Sequence, residues 1–205
     1  MLNRFARALF TKIFTPVAKI FLRMGISPDV VTIVGTLGVA FGALVFYPRG
    51  SFFWGTVIIT CFVFSDTIDG VMARMSGRSS TWGAYLDSTL DRVGDGAVFA
   101  GLIMYYAGKG DDNVMAALAL ACLVLGSVVS YSKARAEGLG MTANVGIAER
   151  ADRLVATLVT TGLVGLGLPQ IVLGVVLALL AVFSLITVFQ RMLTVRKQAL
   201  AAAAE

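Results

Sequence analysis

Histidine is absent from the 205 residues, which removes His-ligated zinc, haem and copper sites and any imidazole acid–base scheme. Charge is scarce: Asp, Glu, Lys and Arg make up 14% of the chain, well under the quarter usual in soluble domains. Only two cysteines are present, Cys61 and Cys122, each within an apolar run. They read as buried, inert thiols, and no disulfide framework is expected. The N-terminus lacks a short apolar core followed by a small-residue cleavage site, so no signal peptide is expected. No internal repeat or solenoid period is visible, and the alanine-rich run over 199–204 reads as a frayed helical tail.

What fills the chain is apolar: 58% of it is hydrophobic, with a mean hydropathy of +0.86. That composition predicts one all-α integral membrane domain. Residues 1–25 mix Arg4, Arg7, Lys12, Lys19 and Arg23 with Leu2, Phe5, Leu9, Phe10, Ile13 and Phe14. They predict a basic amphipathic helix on the membrane surface, interrupted near Pro16. Gly25, Ser27 and Pro28 then punctuate the chain, with Pro28 placed for the first turn of a new helix. Six transmembrane helices are expected, over about 29–47, 52–75, 82–107, 113–135, 150–168 and 170–192, each near the ~20 residues a bilayer requires. The expected organisation is a surface helix and linker over 1–28, a six-helix membrane domain over 29–193 and a cytoplasmic tail over 194–205.

Orientation follows from the basic residues. The N-terminal segment, the Arg74–Arg78 turn, the 133–153 region and the C-terminal end hold fourteen of the seventeen Lys and Arg. The positive-inside rule then places both termini of this multi-pass membrane protein in the cytoplasm. The net charge of +5 follows this topology and is no argument for nucleic acid.

Against that background the stretch from Ser65 to Arg92 stands out, because it carries Asp66, Asp69, Asp87 and Asp91. The first pair is spaced i, i+3 and the second i, i+4, so each occupies one helix face. Two such pairs on adjacent antiparallel helices can converge on one point. Carboxylates packed that closely repel, and hard divalent cations are the natural neutraliser. A lone intramembrane aspartate is as readily a structural ion pair with Arg74 or Arg92, but four at these spacings point to function. At ~1.5 Å per residue, Asp66 falls ~21 Å from the outer start of its span, so the cluster lies just beneath the inner headgroup layer. Asp95, one turn beyond Asp91, reads as a hydrogen bond or ion pair inside the bundle.

The run Asp66-x-x-Asp69-Gly70-x-x-Ala73-Arg74, eight residues, then Gly83-x-x-x-Asp87-x-x-x-Asp91 resembles the signature of the CDP-alcohol phosphotransferase family. The resemblance implies two Mg²⁺ ions, with Mn²⁺ as the alternative, held by Asp66, Asp69 and Asp87. Asp91 would share the second metal and act as general base. It places the CDP-diacylglycerol donor against Gly70, Ala73, Arg74 and Gly83, with Ser80 in the intervening turn. Ser27-Pro28-Asp29-Val30-Val31-Thr32 resembles the family's Pro-Asn-x-x-Thr element, with Asp29 in place of asparagine, and adds Asp29 and Thr32 to the donor site. The resemblance also implies a homodimer.

The acceptor is read from cations at the cytoplasmic mouth. Lys133 and Arg135 close the fourth span, Arg153 opens the fifth and Arg191 ends the sixth. All four can be plain membrane-flanking charges; a phosphorylated, water-soluble alcohol fits the alternative, an anion pocket. Tyr131–Glu137 and Ile147–Leu154 resemble the actinobacterial branch of the family that transfers a phosphatidyl group to inositol phosphate. That implies 1D-myo-inositol 3-phosphate as acceptor and CMP as leaving group. Glycerol phosphate is the alternative acceptor within the family, giving phosphatidylglycerophosphate. A divalent-cation transporter is the alternative from another class, disfavoured because no acid lines the opposite half of a continuous path.

Overall fold

A computed structural model describes residues 14–77 and 80–202. Arg4, Arg7 and Lys12 of the basic segment, and Arg78 of the first turn, lie outside the described residues. Among those described the chain is helical, with eight α-helices and no strand.

Helix α1 covers 14–23 and runs through Pro16, which sits in its first described turn. No interruption is seen there. Its Ala18 is buried against Val31, Val71 and Met72, while Lys19 and Arg23 face outward. Helix α2, Pro28–Phe41, starts where expected: the Ser27 side chain accepts a hydrogen bond from Val30 N (3.4 Å) and Pro28 occupies the first turn. A π-turn, Gly42–Phe46, and a 3₁₀ turn, Tyr47–Arg49, carry the same rod to Gly50.

The expected span over 52–75 is two helices, α3 (Phe52–Val63) and α4 (Ser65–Met75), joined at Phe64. The Ser65 hydroxyl donates to the Phe62 carbonyl at 2.6 Å, competing with the regular helical ladder at the joint. Phe64 itself keeps a right-handed helical conformation, so α3 and α4 remain one rod, Phe52–Met75. Helix α5, Thr81–Tyr106, is capped by Ser80, whose Oγ accepts from Gly83 N at 2.9 Å. Helix α6 is Asn113–Glu137, capped by Asp112. Helix α7, Arg150–Gly165, begins with Glu149 N donating to the Asp152 carboxylate at 3.2 Å. Helix α8 runs from Gln170 to Ala202 without a break at 193.

Neighbouring helices pack in a ring, α2 to α5 to α6 to α8 to α7 to α3 and back to α2, with α4 laid against α2. The ring closes around a core that includes Tyr47, Phe52, Ile59, Leu102, Leu173 and Leu177. Close approach depends on missing side chains. A Cβ at Gly101 would lie 2.5 Å from the Ala43 carbonyl oxygen, and one at Gly38 would overlap the Phe62 ring.

Outside the ring the surface is apolar, with Phe41, Trp54, Val124, Val159, Val175 and Phe189 exposed, which suits lipid rather than water. Four helical rods, Pro28–Arg49, Phe52–Met75, Asn113–Glu137 and Gln170–Ala202, are long and apolar enough to cross a membrane. Helix α5 carries Asp87, Asp91, Arg92 and Asp95, and α7 has 16 residues, so neither meets that description by composition and length. Cys122 is buried as expected, whereas Cys61 is exposed on the outer face of α3. The absence of polar neighbours in sequence cannot tell a core position from a lipid-facing one.

Candidate active site

The ring's connectivity brings the start of α2, all of α4 and the start of α5 to one end of the molecule. Between them opens a cavity of about 410 Å³ lined by Asp29, Thr32, Asp66, Asp69, Gly70, Ala73, Arg74, Ser80, Gly83 and Asp87. All seven residues expected to hold the nucleotide donor line it, together with three of the four signature acids. Glycine supplies the room. A Cβ at Gly83 would come within 3.3 Å of Ser80 Oγ and 3.9 Å of Asp29 Oδ1, and one at Gly70 within 3.5 Å of Arg74 Nη1.

Asp66, Asp69 and Asp87 each offer a carboxylate oxygen, and these oxygens lie within 4.8 Å of one another. Asp69 is buried, and its Oδ2 accepts a 2.5 Å hydrogen bond from the Thr32 hydroxyl. The Thr32 hydroxyl is thereby tied to the acid cluster as well as lining the cavity. Asp87 Oδ1 is buried with no hydrogen-bond partner among the described residues. A carboxylate trio, one member of which keeps a buried oxygen without a partner, fits a divalent cation, whose preference is for several hard oxygen ligands.

Asp91 stands outside that trio. It lines a second cavity of about 50 Å³ that shares Thr32, Asp66 and Asp69 with the first and adds Asp95 and Arg150. Its Oδ1 receives Arg150 Nη2 at 2.8 Å and its Oδ2 faces Arg92 Nη2 at 3.5 Å. Asp95 does what its position suggested, an ion pair within the bundle, with Arg150 Nε 3.1 Å from both its oxygens. Arg150 itself was not singled out from sequence. The signal available was its place in the Ile147–Leu154 stretch, at the first position of a helix delivered to the cluster's end of the molecule.

The four cations expected at the acceptor site are not gathered in one cavity. Lys133 lies 3.9 Å from Glu137, one turn along α6. Arg135 and Arg191 line an apolar groove between α6 and α8, and Arg153 lines a small void beside Arg150. Arg153 and Arg191 are buried, and both donate to backbone carbonyls: Arg153 to Ala148 (3.1 Å) and Gly126 (3.3 Å), Arg191 to Val145 (3.0 Å) and Val129. Thr187 Oγ1 accepts from Ile147 N and Ala148 N at 3.2 Å, and Gln198 exchanges hydrogen bonds with the Thr142 backbone. Helix α8 thus straps down the 138–149 loop that leads into Arg150.

The profile of the CDP-alcohol phosphatidyltransferase family matches residues 25–186. A phosphatidylinositol phosphate synthase of Streptomyces avermitilis is 56% identical over 204 residues, 97% of this chain and 84% of that protein. One from Mycolicibacterium smegmatis is 46% identical over 193 residues, 93% of this chain and 86% of that protein. The crystal structure of the Mycobacterium tuberculosis phosphatidylinositol phosphate synthase with CDP-DAG bound superposes with a TM-score of 0.86 at 43% identity, covering 90% of this chain and 94% of that one. Its complex with manganese and citrate gives 0.85 at the same 43% identity, covering 89% and 88%.

Proposed function

This chain belongs to the CDP-alcohol phosphatidyltransferase family, and from that premise we propose that it transfers the phosphatidyl group of CDP-diacylglycerol to 1D-myo-inositol 3-phosphate, giving phosphatidylinositol phosphate and CMP. The observation that carries the reading is the single cavity joining the nucleotide-contacting residues to the carboxylate trio. The relatives' names supply the acceptor.

Divalent metal use is supported by the acid cluster and by the relative's manganese complex. Asp66, Asp69 and Asp87 would hold two ions, Mg²⁺ or Mn²⁺, with Asp91 sharing the second. When bound, the ions neutralise charge on the diphosphate and on the departing CMP. The chain's own groups do the rest. Gly70, Ala73 and Gly83 let the nucleotide lie against backbone, Arg74 pairs with a phosphate, and Asp29, Thr32 and Ser80 complete the donor contacts. Asp91 takes the proton from an inositol hydroxyl. That oxygen bonds to the β-phosphorus as the bond to the CMP oxygen breaks. Lys133, Arg135, Arg153 and Arg191, which do not share one cavity, are assigned to the acceptor phosphate as the positive charge surrounding its entry; the carbonyl bonds of Arg153 and Arg191 fix their guanidinium planes beforehand.

The protein is a multi-pass membrane protein with at least the four spanning rods described. On our reading α5 and α7 also cross, making six, because the ring places them between rods that do. Helix α1 belongs to the amphipathic surface segment, and the basic residues put the site and both termini on the cytoplasmic side of a bacterial plasma membrane. A homodimer completes the reading. Purified protein in detergent micelles with CDP-diacylglycerol, Mg²⁺ and a panel of acceptors tests it. Metal-dependent CMP release stimulated by inositol phosphate, and not by inositol or glycerol phosphate, is the expected outcome. Equal stimulation by unphosphorylated inositol would remove the acceptor assignment.

A further inference from the structure

The bridge between α5 and α7 is built differently from a helix-end charge. Asp91 and Asp95 are one turn apart and present their carboxylates on one face of α5. Arg150 meets both with the same edge of its guanidinium: Nη2 on Asp91 Oδ1 at 2.8 Å, and Nε 3.1 Å from both oxygens of Asp95. A planar fork held this way has its orientation fixed by Asp95 and transmits that orientation to Asp91. The Asp91 oxygen left over, Oδ2, has the longer 3.5 Å approach of Arg92 among the described residues. Arg150 is itself the first residue of α7, and the loop before it is tied to α8 through Val145, Ile147 and Ala148.

We propose that Arg150, anchored by Asp95, is a positioning residue that turns the Asp91 carboxylate so that one oxygen is engaged and the other faces the acceptor hydroxyl. The proposal rests on the reading of Asp91 as general base. Neither Arg150 nor Asp95 lines the cavity assigned to the donor; both act through Asp91. Loss of the fork leaves Asp91 free to rotate, and misplacement of a catalytic group by ~1 Å costs about a hundredfold in rate.

The test is steady-state kinetics of the full chain in micelles with CDP-diacylglycerol and Mg²⁺, run with both inositol phosphate and glycerol phosphate. Arg150→Gln is expected to lower kcat about a hundredfold, with both KM values within about threefold of wild type. Arg150→Lys, which keeps the charge but cannot span two carboxylates, should recover no more than about tenfold of that loss. An unchanged kcat in Arg150→Gln overturns the proposal. So does a raised acceptor KM at constant kcat, which would make Arg150 a substrate ligand. Full recovery by lysine overturns the fork. If Arg150→Gln does not fold, Asp95→Asn decides: it removes the anchor alone and should lower kcat about tenfold at constant KM, and unchanged turnover sinks the idea. Turnover of wild type with glycerol phosphate only would fail the acceptor reading while leaving the Arg150 comparison measurable with that acceptor.

Discussion

Neutralising Asp69 should make the metal-free protein more stable and the enzyme inactive, two effects of opposite sign from one substitution. Asp69 is buried and its oxygen lies within 4.8 Å of oxygens of both Asp66 and Asp87. At an effective dielectric near 20, each such pair of ionised carboxylates costs roughly 3 kcal/mol. Asp66 is exposed, and screening there reduces the repulsion, so about 1–2 kcal/mol is a reasonable net gain for Asp69→Asn. An asparagine oxygen can still accept from Thr32, so the 2.5 Å hydrogen bond need not be lost. For a chain of this size the gain corresponds to a rise of about 2–8 °C in Tm. The measurement is thermal unfolding in detergent with chelator at pH 8.5, repeated with Mn²⁺ at about a hundred times its Kd. Wild type should gain about 2.7 kcal/mol from the metal, and Asp69→Asn should gain little or nothing. CMP release should fall to background in the same preparation. A Tm that drops in chelator, or a metal shift equal to that of wild type, would refute the assignment of Asp69 as an anionic ligand facing two others.

Four further outcomes are expected. Gly83→Val should raise the donor KM at least about tenfold with little change for the acceptor, since its side chain enters the space beside Ser80 and Asp29. Arg153→Gln and Arg191→Gln should each raise the acceptor KM about ten- to a hundredfold at constant donor KM, as loss of a charge-assisted contact implies; a lowered Tm with both KM values unchanged would reduce these arginines to clamps on the 138–149 loop. Arg49→Gln, whose guanidinium reaches back to the Val45 carbonyl in the turns that continue α2 away from the site, should leave both KM values alone. Mixing Asp66→Asn chains with Asp91→Asn chains should restore no activity, since all the acids of one site are read as coming from one chain, and recovery on mixing would show a site shared between chains.

The acid cluster was legible because helical periodicity puts Asp66 with Asp69 and Asp87 with Asp91 without knowledge of the tertiary fold. The rods of α2, α6 and α8 were legible for the same local reason, sustained apolar length. The break at Phe64 was not, since it goes with a single Ser65 hydroxyl bonding the Phe62 carbonyl, and no glycine or proline marks the joint. Helix α8 outlasts its apolar stretch by about ten residues, and in that extension Gln198 exchanges hydrogen bonds with the Thr142 backbone of the 138–149 loop. Sequence also places Arg150, Arg153 and Arg191 alike, as basic residues near helix ends. Only the fold separates a guanidinium facing carboxylates from two facing backbone carbonyls.

The order of the helices around the ring has a consequence for how acceptor choice can diverge. Every residue assigned to the donor and the metals lies between Asp29 and Asp91, on α2, α4 and α5 or, for Ser80, at the cap of α5, whereas the cations assigned to the acceptor lie from Lys133 onward, on α6, α7 and α8. The two halves of the chain are separated by the turn over 107–112, at the end of the molecule away from the chemistry. Recombination at that turn would exchange an acceptor half while leaving the diphosphate machinery untouched. Arg150 is the point of friction, because it belongs to the second half by sequence and pairs with Asp91 and Asp95 of the first. A chimera that keeps arginine there keeps the base aligned, and its acceptor can then drift without a new catalytic centre having to be invented.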